Sequence, residues 1–250
     1  MSNWFVTSPR DKGAIKLRLY AIPFAGRGAS LFHAWRASLP DWIELVAIQL
    51  PGREARIAEP ALTRIPEIVT VLKNEIIAST TGPYAFFGYS MGALIGFETA
   101  CALLSEGYRP PVALILGAHQ PPHYRTTPVR FQAMSDAEFI AEMQRLYDGI
   151  PQEILRNKDL MQLLLPTLRR DIEALEFFQY APNGPLDLPF YIYGGNKDPH
   201  ASPQRLTRWR DLTNATTQFR WFEGSHFFLQ EDPQAVVKAV VEDLSLHVTL

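Results

Sequence analysis

Apolar positions along this 250-residue chain recur in blocks that alternate between two patterns. Short, nearly continuous apolar runs are typical of strands buried on both faces. Stretches with an apolar residue at every third or fourth position are typical of amphipathic helices. The predicted strands are 15–22, 43–50, 84–89, 112–118, 190–193 and 217–222, and the predicted helices between and after them are 31–39, 63–80, 91–106, 203–212 and 233–240. This order predicts an α/β fold with a mostly parallel central sheet and helices on both of its faces.

The alternation is interrupted between residues 119 and 185, where several helical segments but no strand are predicted. A βα crossover needs only about a dozen residues, so this stretch is an insertion. The sequence Ser135-Asp136-Ala137-Glu138 predicts a capping box, Gly149 and Pro151 separate that helix from the next, and Pro166 is expected to kink or restart another. We expect one domain over the whole chain, with this insertion as a lid above the sheet's carboxyl edge. A helical subdomain that serves only stability is the alternative.

Composition and charge narrow the class of protein. Hydrophobic residues make up 47% and charged residues 20%, which is ordinary for a soluble enzyme. The net charge of −2 gives no reason to expect nucleic acid or an anionic membrane as a partner. The single cysteine, Cys101, excludes an internal disulfide and a zinc cluster and is expected to be buried and inert. With no signal-peptide pattern and no apolar run of ~18 residues, we expect a cytoplasmic protein.

The segment from Tyr84 to Glu98 is the one that most clearly indicates chemistry. An apolar strand is followed by Gly88-Tyr89-Ser90-Met91-Gly92 and then by a helix with hardly any polar face. This order is that of a nucleophile elbow, in which a sharp turn exposes a serine and glycines permit close backbone approach. A tight strand-to-helix turn without catalysis is the alternative. The flanking pattern favours the elbow, so Ser90 is the predicted nucleophile.

A serine hydroxyl needs a nearby base and a group that orients this base. His226 follows the last predicted strand, so it reaches the same carboxyl edge of the sheet as Ser90. The other five histidines are predicted in a helix, at the C-terminal end, around consecutive prolines or beside a better-suited aspartate. Asp198 follows a glycine-ended strand and completes the chain order Ser…Asp…His of this architecture. Asp187 and Glu223 are weaker candidates for the acid.

These residues predict hydrolysis through an acyl-enzyme. Ser90 attacks an acyl carbonyl, His226 takes the proton and returns it to the leaving group, and Asp198 fixes the imidazole tautomer. The oxyanion would be held by the backbone N–H of Met91 and by one from the small-residue loop after the first strand, with Ala25 as the candidate. This mechanism needs no metal and no organic cofactor.

Several segments together resemble the type II thioesterases, discrete α/β-hydrolases that accompany nonribosomal peptide and polyketide synthases. The segments are Pro23-Phe24-Ala25-Gly26, Gln49-Leu50-Pro51-Gly52-Arg53-Glu54, Gly88-Tyr89-Ser90-Met91-Gly92, Leu165-Pro166-Thr167-Leu168-Arg169-Arg170-Asp171 and Ser225-His226-Phe227-Phe228. The resemblance extends from about Leu17 to the C-terminal helix. The Pro-Gly-Arg and His-Phe-Phe segments are more specific than the elbow alone.

This resemblance implies an editing enzyme of antibiotic or siderophore biosynthesis. It would hydrolyse misprimed or stalled acyl groups from the phosphopantetheine arm of acyl- or peptidyl-carrier domains. The family pattern falls on the same triad and the same two oxyanion donors, and we expect a monomer without a cofactor. Two positions depart from the pattern, because Arg27 and Ser225 each stand where a glycine is usual.

Carrier proteins are typically acidic, so basic residues near the site are candidates for docking them. These are Arg27, Arg53, Arg56, Arg125 and Arg130, and for each an ordinary solvated arginine is the alternative. Other functions on the same fold are a medium-chain fatty acyl-carrier or acyl-CoA thioesterase, including one that releases chains from a fatty acid synthase, and a general carboxylesterase. From a different class, an inactive hydrolase-fold binding protein is the further alternative.

Overall fold

The computed structural model describes residues 3–7, 15–124, 130–147 and 157–249. Its strands are β1 (Phe5–Thr7), β2 (Leu17–Ile22), β3 (Ile43–Ile48), β4 (Tyr84–Tyr89), β5 (Leu114–Gly117), β6 (Phe190–Gly195) and β7 (Thr217–Phe222). They form one sheet in the order β1-β3-β2-β4-β5-β6-β7. β1 pairs antiparallel with β3, and every other pair is parallel. The mostly parallel sheet predicted from the apolar runs is confirmed.

Helices cover both faces of this sheet. They are α1 (Trp35–Ser38), α2 (Ile65–Ser79), α3 (Met91–Ser105), α4 (Asp136–Tyr147), α5 (Lys158–Glu176), α6 (Pro203–Leu206), α7 (Phe228–Glu231) and α8 (Pro233–Ser245). Successive residues of a strand point to opposite faces. Tyr20 and Ile22 of β2 therefore pack in one apolar layer with α2 and α3, whereas Leu19 and Ala21 pack in the other with α1 and α8. The buried core thus consists of two apolar layers that hold the sheet between them.

Two predicted helices differ from the observed ones. The stretch 31–39 is a 3-10 turn at Ala29–Phe32 followed by the short α1, and the side chain of Ser30 caps neither of them. The carboxylate of Glu54 accepts both the backbone N–H and the hydroxyl of Ser30, at 3.1 and 2.5 Å, so this side chain is not free to cap a helix. The predicted helix 203–212 also differs, because it begins as α6 and continues as a 3-10 helix over Thr207–Leu212.

α3, which follows the elbow, ends at a glycine cap. Gly107 has a φ of +70°, in the left-handed region, and its N–H donates to the carbonyl of Leu104 at 3.0 Å. A glycine in this conformation is the usual helix C-terminal cap. Cys101 is buried in this helix, and burial raises the pKa of its thiol to about 12. The prediction of a buried cysteine is confirmed, and its thiol stays protonated at neutral pH.

The segment between β5 and β6, here called the insert, is helical in its described parts and contains no strand there. The predicted capping box is present at the start of α4, where the Ser135 N–H donates to Glu138 at 2.8 Å and the Glu138 N–H donates to Ser135 at 3.4 Å. Pro166 neither ends nor restarts a helix, because α5 runs through it. Gly149 and Pro151, predicted to separate two helices, lie outside the described residues.

α4 and α5 pack against each other and against the loop after β2. Their shared apolar cluster contains Phe139 and Met143 of α4 and Leu165 and Ile172 of α5, with Ala25 packed at its edge. The insert therefore lies next to the loop in which an oxyanion donor is predicted. None of the helices in the described ranges is long and apolar enough to cross a membrane.

Candidate active site

Ser90 occupies a strained turn between β4 and α3. Its φ of 52° and ψ of −118° are rarely adopted by a residue with a side chain. A Cβ on Gly88 would lie 2.2 Å from the carbonyl oxygen of Gly92, and one on Gly92 would lie 2.2 Å from that of Ile22. The Ser90 N–H donates to the carbonyl of Gly117 at 2.8 Å, which ties the turn to β5. This is the geometry of the elbow predicted from the sequence, and glycines are required on both sides of the serine.

The three side chains predicted as a triad lie in one hydrogen-bonded row. The hydroxyl of Ser90 is 3.1 Å from Nε2 of His226, and Nδ1 of His226 is 2.7 Å from Oδ2 of Asp198. The other carboxylate oxygen, Oδ1, accepts the backbone N–H groups of His200 and Ala201 at 2.8 and 3.1 Å. Both His226 and Asp198 are buried, whereas Ser90 is only partly so. Of these three side chains, only that of Ser90 is therefore accessible to a substrate.

The electrostatics of Asp198 suit a group that orients an imidazole. Burial raises the pKa of this carboxyl, but the hydrogen bond and charge of His226, with the two backbone donors, outweigh burial and leave the pKa below its usual value. Asp198 is therefore ionised at neutral pH and can only accept hydrogen bonds. It follows that Nδ1 of His226 carries the proton and Nε2 presents a lone pair to Ser90.

Tyr89, one residue before the serine, supports the histidine loop. Its buried hydroxyl donates to the carbonyl of His226 at 2.7 Å and accepts the N–H of Leu229 at 3.3 Å. Burial also raises the pKa of Tyr89 well above its usual value, so the hydroxyl remains a donor. The sequence pattern treats Tyr89 as one more apolar strand residue and misses this function. A tyrosine in place of a purely apolar residue inside the elbow could have indicated it, because a buried tyrosine hydroxyl usually has a hydrogen-bond partner.

The two predicted oxyanion donors are available in the structure. Arg27 donates its N–H to the carbonyl of Phe24 at 3.1 Å, and Gly26 has a φ of +79°, as a type II turn requires at its third position. Ala25 is the second residue of this turn. Met91 is the first residue of α3, where the helix itself supplies no acceptor for the N–H. Neither N–H donates to any residue that the structure describes. Their function as oxyanion donors remains a prediction.

Two of the segments that carry the family resemblance contact each other at this turn. Arg53 of the Pro-Gly-Arg loop binds Asp171 of α5 through two parallel bonds, Nη1 to Oδ2 at 2.5 Å and Nη2 to Oδ1 at 2.8 Å. The N–H of Gly26 donates to the same Oδ2 at 2.6 Å, and the hydroxyl of Thr167 donates to the carbonyl of Gly52 at 2.6 Å. Arg53 is 4% exposed and Asp171 is 0% exposed. As a docking residue for a carrier protein, Arg53 is therefore a wrong prediction.

The other arginines proposed for docking differ in accessibility. Arg56 is 8% exposed, and its guanidinium binds the carboxylate of Glu59 at 2.8 and 2.5 Å, so it too is wrong as a docking residue. Arg27 is half-buried, and its Nε has no partner among the described residues. Arg130 is exposed, and Arg125 lies outside the described residues. Among the candidates that the structure describes, Arg27 and Arg130 remain accessible.

The other residues that the sequence analysis considered are not part of the row formed by Ser90, His226 and Asp198. Asp187 and Glu223 are exposed and bind the amides of Asn214 and Asn196, at 3.0 and 2.5 Å, instead of His226. Ser225, which replaces a usual glycine, binds the carboxylate of Glu231 and accepts the N–H of Phe227 at 3.2 Å. It thereby stabilises the loop of the neighbouring histidine. Within the described ranges, no three His, Cys, Asp or Glu side chains are grouped as a metal site would need.

The parallel sheet, the elbow after β4 and the histidine after the last strand define the class, that of the α/β-hydrolases. Within this class, the family model of the thioesterase domain matches residues 17–245. The chain belongs to the thioesterase family.

Individual proteins that the chain is similar to include type II thioesterases, which it matches over nearly their whole length. The chain is 36% identical to the gramicidin S biosynthesis protein GrsT of Aneurinibacillus migulanus, over 98% of this chain and 95% of that protein. It superposes on the type II thioesterase BorB from the borrelidin biosynthetic cluster with a TM-score of 0.87 and 31% identity, over 96% and 97% of the two chains. For YbtT, the type II thioesterase of the yersiniabactin pathway, the TM-score is 0.86 at 30% identity, over 98% and 100%. The resemblance to type II thioesterases and the predicted fold are both confirmed.

Proposed function

We propose that this chain is a type II thioesterase that hydrolyses acyl groups from the phosphopantetheine arm of carrier domains in nonribosomal peptide or polyketide biosynthesis. The observation that carries the proposal is the hydrogen-bonded row from Ser90 through His226 to Asp198 in a member of the thioesterase family. Relatives named for gramicidin S and borrelidin biosynthesis support the same setting for this chain.

In the proposed mechanism, the hydroxyl oxygen of Ser90 attacks the thioester carbonyl while Nε2 of His226 takes its proton. The N–H groups of Ala25 and Met91 bind the oxyanion of the tetrahedral intermediate. As the intermediate collapses, the C–S bond breaks and His226 returns the proton to the departing thiolate. A water molecule then attacks the acyl-enzyme by the same route, which releases the carboxylic acid and restores Ser90. Asp198 stabilises the imidazolium in both halves.

A thioester suits this site because its leaving group needs little help. A thiol has a pKa of about 8.5, far below that of an alcohol, so the thiolate departs readily. The imidazole of His226 can act as both base and acid, and this is sufficient for such a substrate. The same site would act more slowly on an unactivated alkyl ester.

We infer that the insert serves as a lid on this site. A Cβ on Gly26 would lie 3.1 Å from the side chain of Leu168, so α5 contacts the turn that carries Ala25. Contact at the mouth of the site supports a lid more than a subdomain that serves stability alone. In this position, the insert would control which acyl groups reach Ser90.

The proposal is tested by comparing hydrolysis of acyl-carrier proteins, acyl-CoA and p-nitrophenyl esters by the wild type and by Ser90→Ala. We expect the highest kcat/KM for acyl-carrier substrates and a loss of several orders of magnitude in the variant. Ser105→Ala, at the far end of α3, is the matched control, because its exposed hydroxyl donates to the carbonyl of Ala102 within the same helix. Preference for acyl-CoA or for p-nitrophenyl esters would instead indicate a fatty acyl thioesterase or a carboxylesterase. Binding without hydrolysis would indicate an inactive binding protein.

Docking of an acidic carrier protein is tested separately at Arg27 and Arg130, the candidates that are accessible in the described part of the chain. Arg27→Glu and Arg130→Glu are expected to raise KM for acyl-carrier substrates and to leave KM for acyl-N-acetylcysteamine thioesters unchanged. Lys16→Glu is the control, because Lys16 is exposed and precedes β2 at the opposite, amino edge of the sheet. Equal effects on both substrates would exclude docking through these arginines.

A further inference from the structure

The carboxylate of Asp171 is a buried acceptor that joins three parts of the chain. It receives two bonds from the guanidinium of Arg53 and one from the N–H of Gly26, while Nη1 of Arg53 also reaches the carbonyl of Arg27 at 3.3 Å. α5, the Pro-Gly-Arg loop and the turn after β2 therefore meet at one point. The turn lies beside the elbow and the histidine loop, because the ring of Phe24 is 6.0 Å from that of Tyr89 and 5.3 Å from that of Phe227.

These bonds fix the turn that carries Ala25 at several positions. The N–H of Gly26 points to Asp171, the carbonyl of Arg27 points to Arg53, and the N–H of Arg27 closes the turn on Phe24 at 3.1 Å. In a turn held in this way, the Phe24–Ala25 peptide, whose carbonyl accepts the Arg27 N–H, has one orientation. Its N–H, that of Ala25, has no acceptor among the described residues and is left for a substrate.

We propose that Asp171 and Arg53 are positioning residues for the oxyanion hole, which they serve by holding the Ala25 N–H in its orientation toward the developing oxyanion. The inference rests on the proposed function, which assigns that N–H its role. An interaction made only in the transition state acts on kcat and leaves KM nearly unchanged. Removal of one oxyanion donor lowers kcat by about 10²–10³-fold, and its displacement is expected to lower kcat by about 10–100-fold.

The variants must separate positioning from simple stabilisation by a buried ion pair. Asp171→Asn keeps the shape of the side chain but leaves the Arg53 charge without its counter-ion, so it is expected to destabilise the fold as well. The double variant Arg53→Met/Asp171→Leu removes both charges at similar volume, an exchange that buried ion pairs often tolerate. The Gly26 N–H still loses its acceptor in this variant. Arg170→Gln is the matched control, because Arg170 is the exposed neighbour of Asp171 on α5 and pairs with Glu173 at 2.8 Å instead of with the turn.

The measurements are kcat, KM, the thermal midpoint and the affinity for two inhibitors. A trifluoromethyl ketone forms a tetrahedral adduct on Ser90 and probes the oxyanion hole, whereas an amide analogue of the thioester probes ground-state binding. For the double variant, we expect a thermal midpoint above that of Asp171→Asn, unchanged amide affinity, and about 10–100-fold losses in both kcat and ketone affinity. Arg170→Gln should match the wild type in all four.

Wild-type kcat in the folded double variant would overturn the proposal, as would equal losses of ketone and amide affinity. Failure of the double variant to fold would also overturn it, because the pair would then be a requirement of the fold. Turnover of p-nitrophenyl acetate is measured in parallel, since an oxyanion hole serves any ester that Ser90 attacks. If the wild type hydrolysed only this ester, the proposed function would be wrong. The kcat of the variants on the same ester would still show whether Asp171 and Arg53 position the oxyanion hole.

Discussion

The ring of Tyr147, the last residue of α4, lies 5.0 Å from the ring of His226 and 4.6 Å from that of His200. His200 in turn donates its backbone N–H to Asp198 at 2.8 Å. The end of α4 therefore covers the histidine and aspartate of the proposed triad. Burial raises the pKa of Tyr147, so its side chain is a neutral ring at physiological pH.

We expect this ring to keep water away from the bond between His226 and Asp198. Tyr147→Ala should lower kcat by about 10-fold, because electrostatic interactions weaken where water enters. Tyr147→Phe keeps the ring and should stay within about two-fold of the wild type on the same argument. Steady-state kinetics on one acyl thioester distinguishes the two variants. Equal kcat for both would show that the ring is dispensable.

Asp198 is expected to be the acid of the triad. Asp198→Asn should reduce kcat by about 10⁴-fold, because an amide holds the imidazole in the wrong tautomer. Asp187→Asn and Glu223→Gln, at the two other candidates, should leave kcat unchanged, because both side chains are exposed and bind asparagine amides. Thermal unfolding of all three variants checks that they are folded. A large loss of kcat in either control would move the acid away from Asp198.

The glycine after the serine should tolerate no side chain. Gly92→Ala would place a Cβ 2.2 Å from the carbonyl oxygen of Ile22, so we expect it to lose activity and more than about 3 kcal/mol of stability. Gly96→Ala, one turn later in α3, is the control. Its nearest neighbour is the flexible Cδ1 of Ile22 at 3.3 Å, and the higher helix propensity of alanine, worth about 1 kcal/mol, offsets this tight contact. Urea unfolding and kcat are the measurements. Similar losses in both variants would contradict the close-approach argument.

The hydrogen-bonded row of the proposed triad and six of the seven strands could be predicted because their signals are local. An apolar run of a few residues defines each strand, and the elbow motif with chain order defines Ser90, Asp198 and His226. The bond between Arg53 and Asp171 spans 118 positions and has no local signal. An arginine in a loop is usually exposed to solvent, so the sequence predicts Arg53 as a docking residue. In the fold, the carboxylate of Asp171 lies beside it and the pair is buried.

The other differences have the same origin. β1 has only three residues, too few for a periodic pattern, and is defined by its pairing with β3, for example Phe5 with Ile48. Pro166 predicts a break from propensity alone, yet α5 continues because packing of Leu165 and Ile172 overrides propensity. What the sequence could not supply is in each case a contact between distant segments.

Glu98, two turns after Ser90 in α3, should make stability depend on pH. Its Oε1 is buried without a hydrogen-bond partner in the described part of the chain, and burial raises its pKa from 4.5 to about 7. The folded state thus binds the proton more tightly than the unfolded state does. The stability linked to this proton is fully present below pH 4.5 and is lost as the pH rises through about 7.

Glu98→Gln abolishes this ionisation, so it should match the wild type near about pH 4 and exceed it near about pH 8. The expected gain is about 2 kcal/mol, from about 1.36 kcal/mol per unit of pKa and a reduction for partial exposure of the side chain. Urea unfolding at both pH values measures it. Glu106→Gln, which removes an exposed carboxylate paired with Lys73 beyond the end of α3, is the control and should show no gain near about pH 8. An equal gain in the free energy of unfolding at both pH values would contradict this prediction. It would show that the shape of the Glu98 side chain, and not its charge, destabilises α3.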